Sequence, residues 1–401
     1  MLRTWSGTFV FLLALAARAA AQDYGATWTD RVTHALVDDA TPLADVPLEI
    51  RLAGGELYSY DTNIYLRDRN EKADSIWITF VQAGLKYAEP EWDAEVDLAA
   101  NYNAYARTPD AGSDEERFFG RVRYQGSRVA FSVAQILRRE SSPSDIVFID
   151  RVPRFLSNST PLLIVHATDV LTFELQSDIQ HVRFNRRGFE TAENTNARTS
   201  LTMAYRTEWN DVEALLQGGH LTIDYRLPTA VDANGFYARG GLRGDIVEGL
   251  QAILLAGVTR AESDNSSNQP VHGEHTTMDV ETHLAWSAAE RTTVYAGYSR
   301  RIALAVGGAS FQVVDSAGLS AQRLLQEDVT VRGRLQYERV HGPFVVTRAY
   351  YSGSVGAEVR VHPNVLVDGG ATYRRGAALT TGGGGDFRDV IVSIGVAVTF
   401  Q

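Results

Sequence analysis

The sequence predicts an all-β fold: a transmembrane, antiparallel, up-and-down β-barrel of about 18 strands, with about 16 as the neighbouring even count. Three observations predict it. From Phe387 to Phe400 every second residue is apolar (Val390, Val392, Ile394, Val396, Val398, Phe400), while the other face is small and mostly polar. The links between such segments alternate between short turns and longer polar loops. After the N-terminal stretch there is no apolar run near the ~18 residues of a membrane helix, so any spanning must be done by strands.

Residues 1–21 read as a signal peptide. Arg3 starts it, Phe9 to Ala17 form its apolar core, and Ala19-Ala20-Ala21 offer a small-residue cleavage site before Gln22. The core is too short for a helical anchor, the alternative reading. Residues 22–46 lack period two and read as a periplasmic extension or a strand-less plug. Residues 47–401 are the expected barrel.

Composition agrees with an exported barrel. Mean hydropathy is -0.17 with 44% hydrophobic residues, the average expected when lipid-facing and water-facing residues alternate. Cys is absent, so no disulfide framework holds the fold. A net charge of -11 argues against nucleic acid as a partner. Only Lys72 and Lys86 are lysines; the other basic residues are arginines, which suit fixed pairing with carboxylates.

In order, the candidate strands are Leu48–Tyr60, Asp74–Ala88, Trp92–Ala106, Glu116–Gln125, Arg128–Arg139, Arg154–His166, Val170–Phe184, Arg198–Trp209 and Val212–Arg226. They continue with Phe236–Ile246, Leu250–Arg260, Thr276–Ser287, Thr292–Ile302, Phe311–Leu324, Val329–Val340, Thr347–Val361, Val365–Arg375 and Phe387–Phe400. Glu89-Pro90-Glu91, Gly126-Ser127, Asn210-Asp211 and His362-Pro363-Asn364 are among the short turns. Between them fall loops such as Thr62–Ala73, Glu140–Pro153, Ala261–His275 and Gly376–Asp386. Short periplasmic turns and long extracellular loops give this asymmetry, and a soluble sandwich has no reason for it.

The faces repeat the plan. Trp92, Ala94, Val96, Leu98, Ala100 and Tyr102 alternate with Asp93, Glu95, Asp97, Asn101 and Asn103; Val329, Val331, Leu335 and Tyr337 alternate with Thr330, Arg332, Arg334 and Glu338. Arginine at the bilayer midplane costs roughly 2–4 kcal/mol, so the charged faces must point inward. Aromatics sort by strand direction: Trp92, Trp209, Trp286 and Phe400 toward the periplasmic rim, and Tyr60, Tyr102, Tyr225, Tyr298, Tyr337 and Tyr373 toward the outer rim.

The functional candidates are the inward charges expected to line a pore. The acidic ones are Asp93, Glu95, Asp97, Glu174, Asp178, Asp224, Asp279, Glu281, Glu338, Glu358 and Asp368. The basic ones are Arg121, Arg123, Arg198, Arg206, Arg239, Arg243, Arg332, Arg334, Arg360 and Arg374. Facing rows of opposite sign set up a transverse field that admits polar solutes, or pair to satisfy one another. Tyr105, Phe119, Tyr237 and Tyr295 are the inward rings on which a sugar chain would stack.

Other motifs are poor. Gly382–Gly385 lacks the end of a phosphate loop. His272 and His275 do not match a common zinc spacing, and no calcium spacing accompanies Asp264 and Glu274. His283 beside Asp279 and Glu281 is the one enzyme lead, read as an ordinary lumen histidine. No cofactor, metal or catalytic residue is expected.

Tyr60-Asp61-Thr62-Asn63-Ile64-Tyr65 resembles the Tyr-Asp-Asn-rich motif of the putative β-barrel porin 2 family, with Thr62 in place of an Asp. The resemblance implies an outer-membrane barrel associated with exopolysaccharide, and hence passage or export of polar solutes such as that polymer. Asp61 and Asn63 read as a turn-forming outer loop, or as a loop folding in to constrict the pore. The alternatives are a general diffusion porin and a plugged structural or enzymatic barrel. The expected partners are outer-membrane lipid, the barrel-assembly machinery and, for an exporter, polysaccharide and periplasmic export proteins.

Overall fold

The computed structural model describes residues 48–66, 71–140, 153–185, 193–209, 212–226, 232–263, 274–303, 312–342, 345–378 and 386–400. The expected signal peptide, the 22–46 extension, Gly382–Gly385, His272 and Asp264 lie outside them.

Eighteen strands form one sheet. They are β1 (Leu48–Asp61), β2 (Asp74–Ala88), β3 (Trp92–Tyr105), β4 (Ser113–Gln125), β5 (Val129–Glu140), β6 (Arg154–His166), β7 (Leu171–Phe184), β8 (Asn194–Arg206) and β9 (Glu213–Tyr225). Then come β10 (Ala233–Val247), β11 (Leu250–Ser263), β12 (Glu274–Ala289), β13 (Thr292–Ala303), β14 (Gln312–Gln326), β15 (Val329–Gly342), β16 (Val345–His362), β17 (Val365–Ala378) and β18 (Phe387–Phe400). Each pairs antiparallel with its sequence neighbours, and β1 pairs with β18 from Leu52↔Phe400 to Asp61↔Ile391, so the sheet closes. Closure removes every edge, which a sheet in hydrocarbon requires.

Several strands start or end a few residues away from the periodicity: β4 begins at Ser113, β8 runs from Asn194 to Arg206, and β10 begins at Ala233. Ladder hydrogen bonds continue past the apolar band, where polar side chains replace the lipid-facing set.

The register carries each face around the wall, because directly paired residues point the same way. Val355, Leu335 and Ile394 stand on the outward face, exposed by 67%, 61% and 57%. Trp92 stacks on Tyr124 and Phe131 at one end of the barrel, with ring centroids 4.9 and 5.6 Å apart, and Tyr337 meets Tyr351 at the other. Tyr225 corrects the expected outer girdle. It pairs with Asn194 on the inner face and is buried.

The opposite face is the inside, as ion pairs across non-adjacent strands require. Arg51 on β1 reaches Glu95 on β3, Arg243 on β10 reaches Glu174 on β7, and Arg198 on β8 reaches Asp279 on β12. Only the concave side brings such strands together. Part of this interior is apolar: Leu57, Phe80, Leu366 and Ala397 pack across β17, β18, β1 and β2.

Candidate functional site

The register places the twenty pore-lining candidates other than Asp224 on the inner face. Asp224 is a correction: it pairs with Thr195 on the outward face, one residue from the end of β9.

On β3 and β4 the acidic and basic rows are direct cross-strand partners, Asp93↔Arg123 and Glu95↔Arg121. Arg121 Nη2 donates to Glu95 Oε2 at 2.9 Å, and Arg123 pairs with Asp93. Arg51, absent from the sequence candidates, joins Glu95 at 3.3 Å and Glu49 at 3.0 Å. Asp97 faces Gly84 in the next strand, on the same face.

The corner between β7 and β12 is packed with charge. Arg239 Nη1 donates to Asp279 Oδ1 at 3.0 Å and to Glu281 Oε2 at 2.8 Å, while its Nε donates to Gln217 at 2.9 Å. Arg198 Nη2 and Thr259 Oγ1 donate to Asp279 Oδ2 at 3.0 and 2.8 Å. Arg243 is held by Glu174 at 2.7 Å and Glu213 at 2.5 Å. The Arg198 guanidinium lies 4.1 Å over the Tyr237 ring. Arg239 and Asp279 are almost wholly buried, so this network is a filled corner and not a free surface. Asp178 faces Arg198 directly across β7 and β8, and Arg206 is exposed at the turn end of β8.

The family-like motif sits at the closure seam. Asp389 Oδ1 on β18 accepts the Asn63 backbone N–H at 3.1 Å and the Thr62 hydroxyl at 3.2 Å. Asn63 Nδ2 donates to the Arg388 carbonyl at 3.1 Å, and the Val390 N–H donates back to Thr62 Oγ1 at 2.8 Å. Arg374 on β17 pairs with Asp389 and lies 3.5 Å from Asp61. Ile64 then packs on the inner residues Ile76 and Tyr105. The residues after β1 therefore fold inward and clasp the last strand to the first. The motif flagged Asp61 and Asn63, but nothing local in sequence pointed to Asp389, 326 residues away from Asn63.

From β13 to β17 the inner wall changes character. On three of its strands the mid-strand residues are small and polar: Ser316, Gly318 and Ser320 on β14, Ser352, Ser354 and Gly356 on β16, Gly370 and Thr372 on β17, while β15 between them carries Arg332, Arg334 and Gln336. Arg332 on β15 is engaged by Glu358 at 3.0 Å and by Asp368. Arg334 stands between Ser320 and Ser354 in the register. Glu338 and Arg360 share this face, and both have partners.

Of the four inward rings, Tyr237 is buried under Arg198 and Tyr105 under the Ile64 turn; Phe119 is half-buried, and Tyr295 alone is exposed, by 37%. They form no continuous track. His283 Nε2 lies 3.2 Å from Glu281 Oε1, but both Asp279 oxygens are taken by arginines and Thr259. No cluster of three metal-ligating side chains occurs among the described residues.

A family model described as putative beta-barrel porin 2 matches residues 58–400. No curated protein matches the sequence. Among solved structures, OccK2 (OpdF) of Pseudomonas aeruginosa aligns with TM-score 0.47 and 10% identity, over 88% of this chain and 98% of its own. OccAB3 of Acinetobacter baumannii aligns with TM-score 0.44 and 10% identity, over 89% of this chain and 100% of its own. OpdK of Pseudomonas aeruginosa aligns with TM-score 0.45 and 9% identity, over 88% and 99%.

Proposed function

The chain belongs to the putative beta-barrel porin 2 family of the outer membrane, and from that premise we propose that it passes small polar solutes along the β13–β17 wall. The channel character comes with the family; the route and the solute are our reading. One observation carries it: the mid-strand inner residues of β14, β16 and β17 are serine, threonine and glycine, with Gly318 and Gln322 exposed, while the β7–β12 corner is filled by buried ion pairs. Barrels of this strand number enclose more space than their wall side chains fill, so an uneven lining leaves the passage where the residues are short. Hydroxyls give a permeating solute hydrogen bonds in place of water.

Export of a secreted polysaccharide is the second reading. It is favoured by the seam motif and by the exposed Tyr295 ring at the margin of the same wall. Without a continuous aromatic track, the reading with the better support is diffusion of small solutes. No bond-breaking role is assigned.

Reconstitution of the purified chain in planar bilayers tests this. Steady single-channel conductance, insensitive to neutral oligosaccharides, is expected for the small-solute reading. Block by long oligosaccharides moves the assignment to polysaccharide, and an absence of conductance sinks both.

A further inference from the structure

We infer that Arg334 and its flanking hydroxyls form a binding site for the oxyanion head of a permeating solute, a carboxylate or a phosphate. The inference rests on the channel reading above and adds a solute class to it.

Arg334 is placed differently from the arginines around it. Arg332 is bound to Glu358 and Asp368, and Arg374 to Asp389. Arg198, Arg239 and Arg243 are likewise held by carboxylates. Among the described residues, Arg334 makes no ion pair and no hydrogen bond. It is half-buried, near the middle of β15, on the inner face. A guanidinium left without a carboxylate inside a wall rich in ion pairs keeps its field for mobile ions.

The residues beside it are donors, not competitors. Ser320 and Ser354 are its direct cross-strand partners, with side chains about 4.5–5.5 Å away at the Cβ atoms. The next residues in the same row are Tyr295 and Thr372. The near carboxylates, Glu358 and Asp368, already face Arg332. A planar guanidinium fork suits the two oxygens of a carboxylate or phosphate, and a serine hydroxyl on each side offers a further hydrogen bond. The charge of this wall points the same way. On β13–β18, Arg301, Arg332, Arg334, Arg348, Arg360 and Arg374 outnumber the inward Glu338, Glu358, Asp368 and Asp389.

Bilayer recordings on the full chain test the site with chloride, acetate and inorganic phosphate as probes. Under a potassium chloride gradient the reversal potential of the wild type should show anion preference, and R334Q should lower the chloride-to-potassium permeability ratio by about threefold at moderate salt. R334K should keep that ratio but weaken the block of chloride current by acetate and phosphate, because the ammonium keeps the charge and loses the fork. S320A/S354A should weaken the block alone. Which of the two probes blocks better separates carboxylate from phosphate solutes. If R334Q conducts with unchanged selectivity and unchanged block, the site is wrong and the channel reading stands. If the folded wild type does not conduct, the channel reading fails and takes the site with it.

Discussion

Arg198 and Asp279 lie on β8 and β12, four strands apart in the wall, yet Arg198 Nη2 meets Asp279 Oδ2 at 3.0 Å. Four strand spacings amount to ~19 Å along the sheet, more than the two side chains reach across a smoothly round section. The wall therefore curls tightly here, and Asp279 sits at the focus of the curl, taking Arg239 on its other oxygen. Asp279→Ala takes from Arg198 the carboxylate it donates to and leaves the buried Arg239 with the Glu281 carboxylate alone, a loss of roughly 3–5 kcal/mol. The heat-modifiability transition of the detergent-extracted barrel on gels should fall well below that of wild type, and Arg239→Met in the same chain should recover part of it. An unchanged transition would show that the network does not hold the curl.

How far the sequence reveals this depends on what sets each feature. Period two gives the side of the sheet, so Asp93, Arg121, Glu174 and Arg332 were assignable from their neighbours alone. Curvature is not local, and no sequence spacing relates Arg198 to Asp279 or Asn63 to Asp389. The face was misread where the alternation itself fails. On β9 the inner residues Leu215, Leu221 and Ile223 are apolar and buried in hydrophobic clusters, Leu215 with Ala204 and Leu255, and Leu221 and Ile223 with Tyr225 and Ala233, so Asp224 and Tyr225 had no polarity contrast to follow. Strand ends were misplaced for a related reason: beyond the apolar band the ladder persists while the lipid that enforces alternation is gone.

Closure between β1 and β18 makes a chemical prediction that the cysteine-free chain makes easy to read. Ser59 and Ser393 are direct partners on the inner face, whereas Val392 points outward. Paired residues of antiparallel strands stand within disulfide range, with Cα atoms about 4.5–5.5 Å apart. S59C/S393C should oxidise almost fully within one chain, giving a faster-migrating species that reductant reverses. S59C/V392C should not. Equal cross-linking in the two variants would mean the seam has no fixed register.

Tyr237 lies flat on Gly219, its direct cross-strand partner; a Cβ there would come 2.3 Å from the ring carbon Cζ and 2.4 Å from the Thr199 carbonyl oxygen. The neighbouring Gly218 points to the other face, where the nearest atom to a Cβ is 3.9 Å away. Gly219→Ala therefore must displace a ring that also carries the Arg198 guanidinium, and should destabilise the barrel by about 1–3 kcal/mol. Gly218→Ala should be nearly neutral. Urea titration followed by tryptophan fluorescence measures both; equal midpoints would place the ring elsewhere.

The position of the passage can be probed with one large side chain on either face of adjacent strands. Thr372 is on the inner face of β17 beside Ser354, and Val355 is on the outer face of β16, 67% exposed. If solutes travel along the serine wall, Thr372→Trp narrows the route itself and should cut single-channel conductance to about half. Val355→Trp adds the same ring toward lipid, where an aromatic is tolerated, and should leave conductance at the wild-type value. Both variants keep the ladder, since neither position needs its side chain for strand pairing, and heat-modifiability confirms folding before recording. Conductance that ignores Thr372→Trp puts the current on another side of the lumen; conductance that follows Val355→Trp instead means the channel responds to its outer face, and the short-residue wall loses its claim as the route.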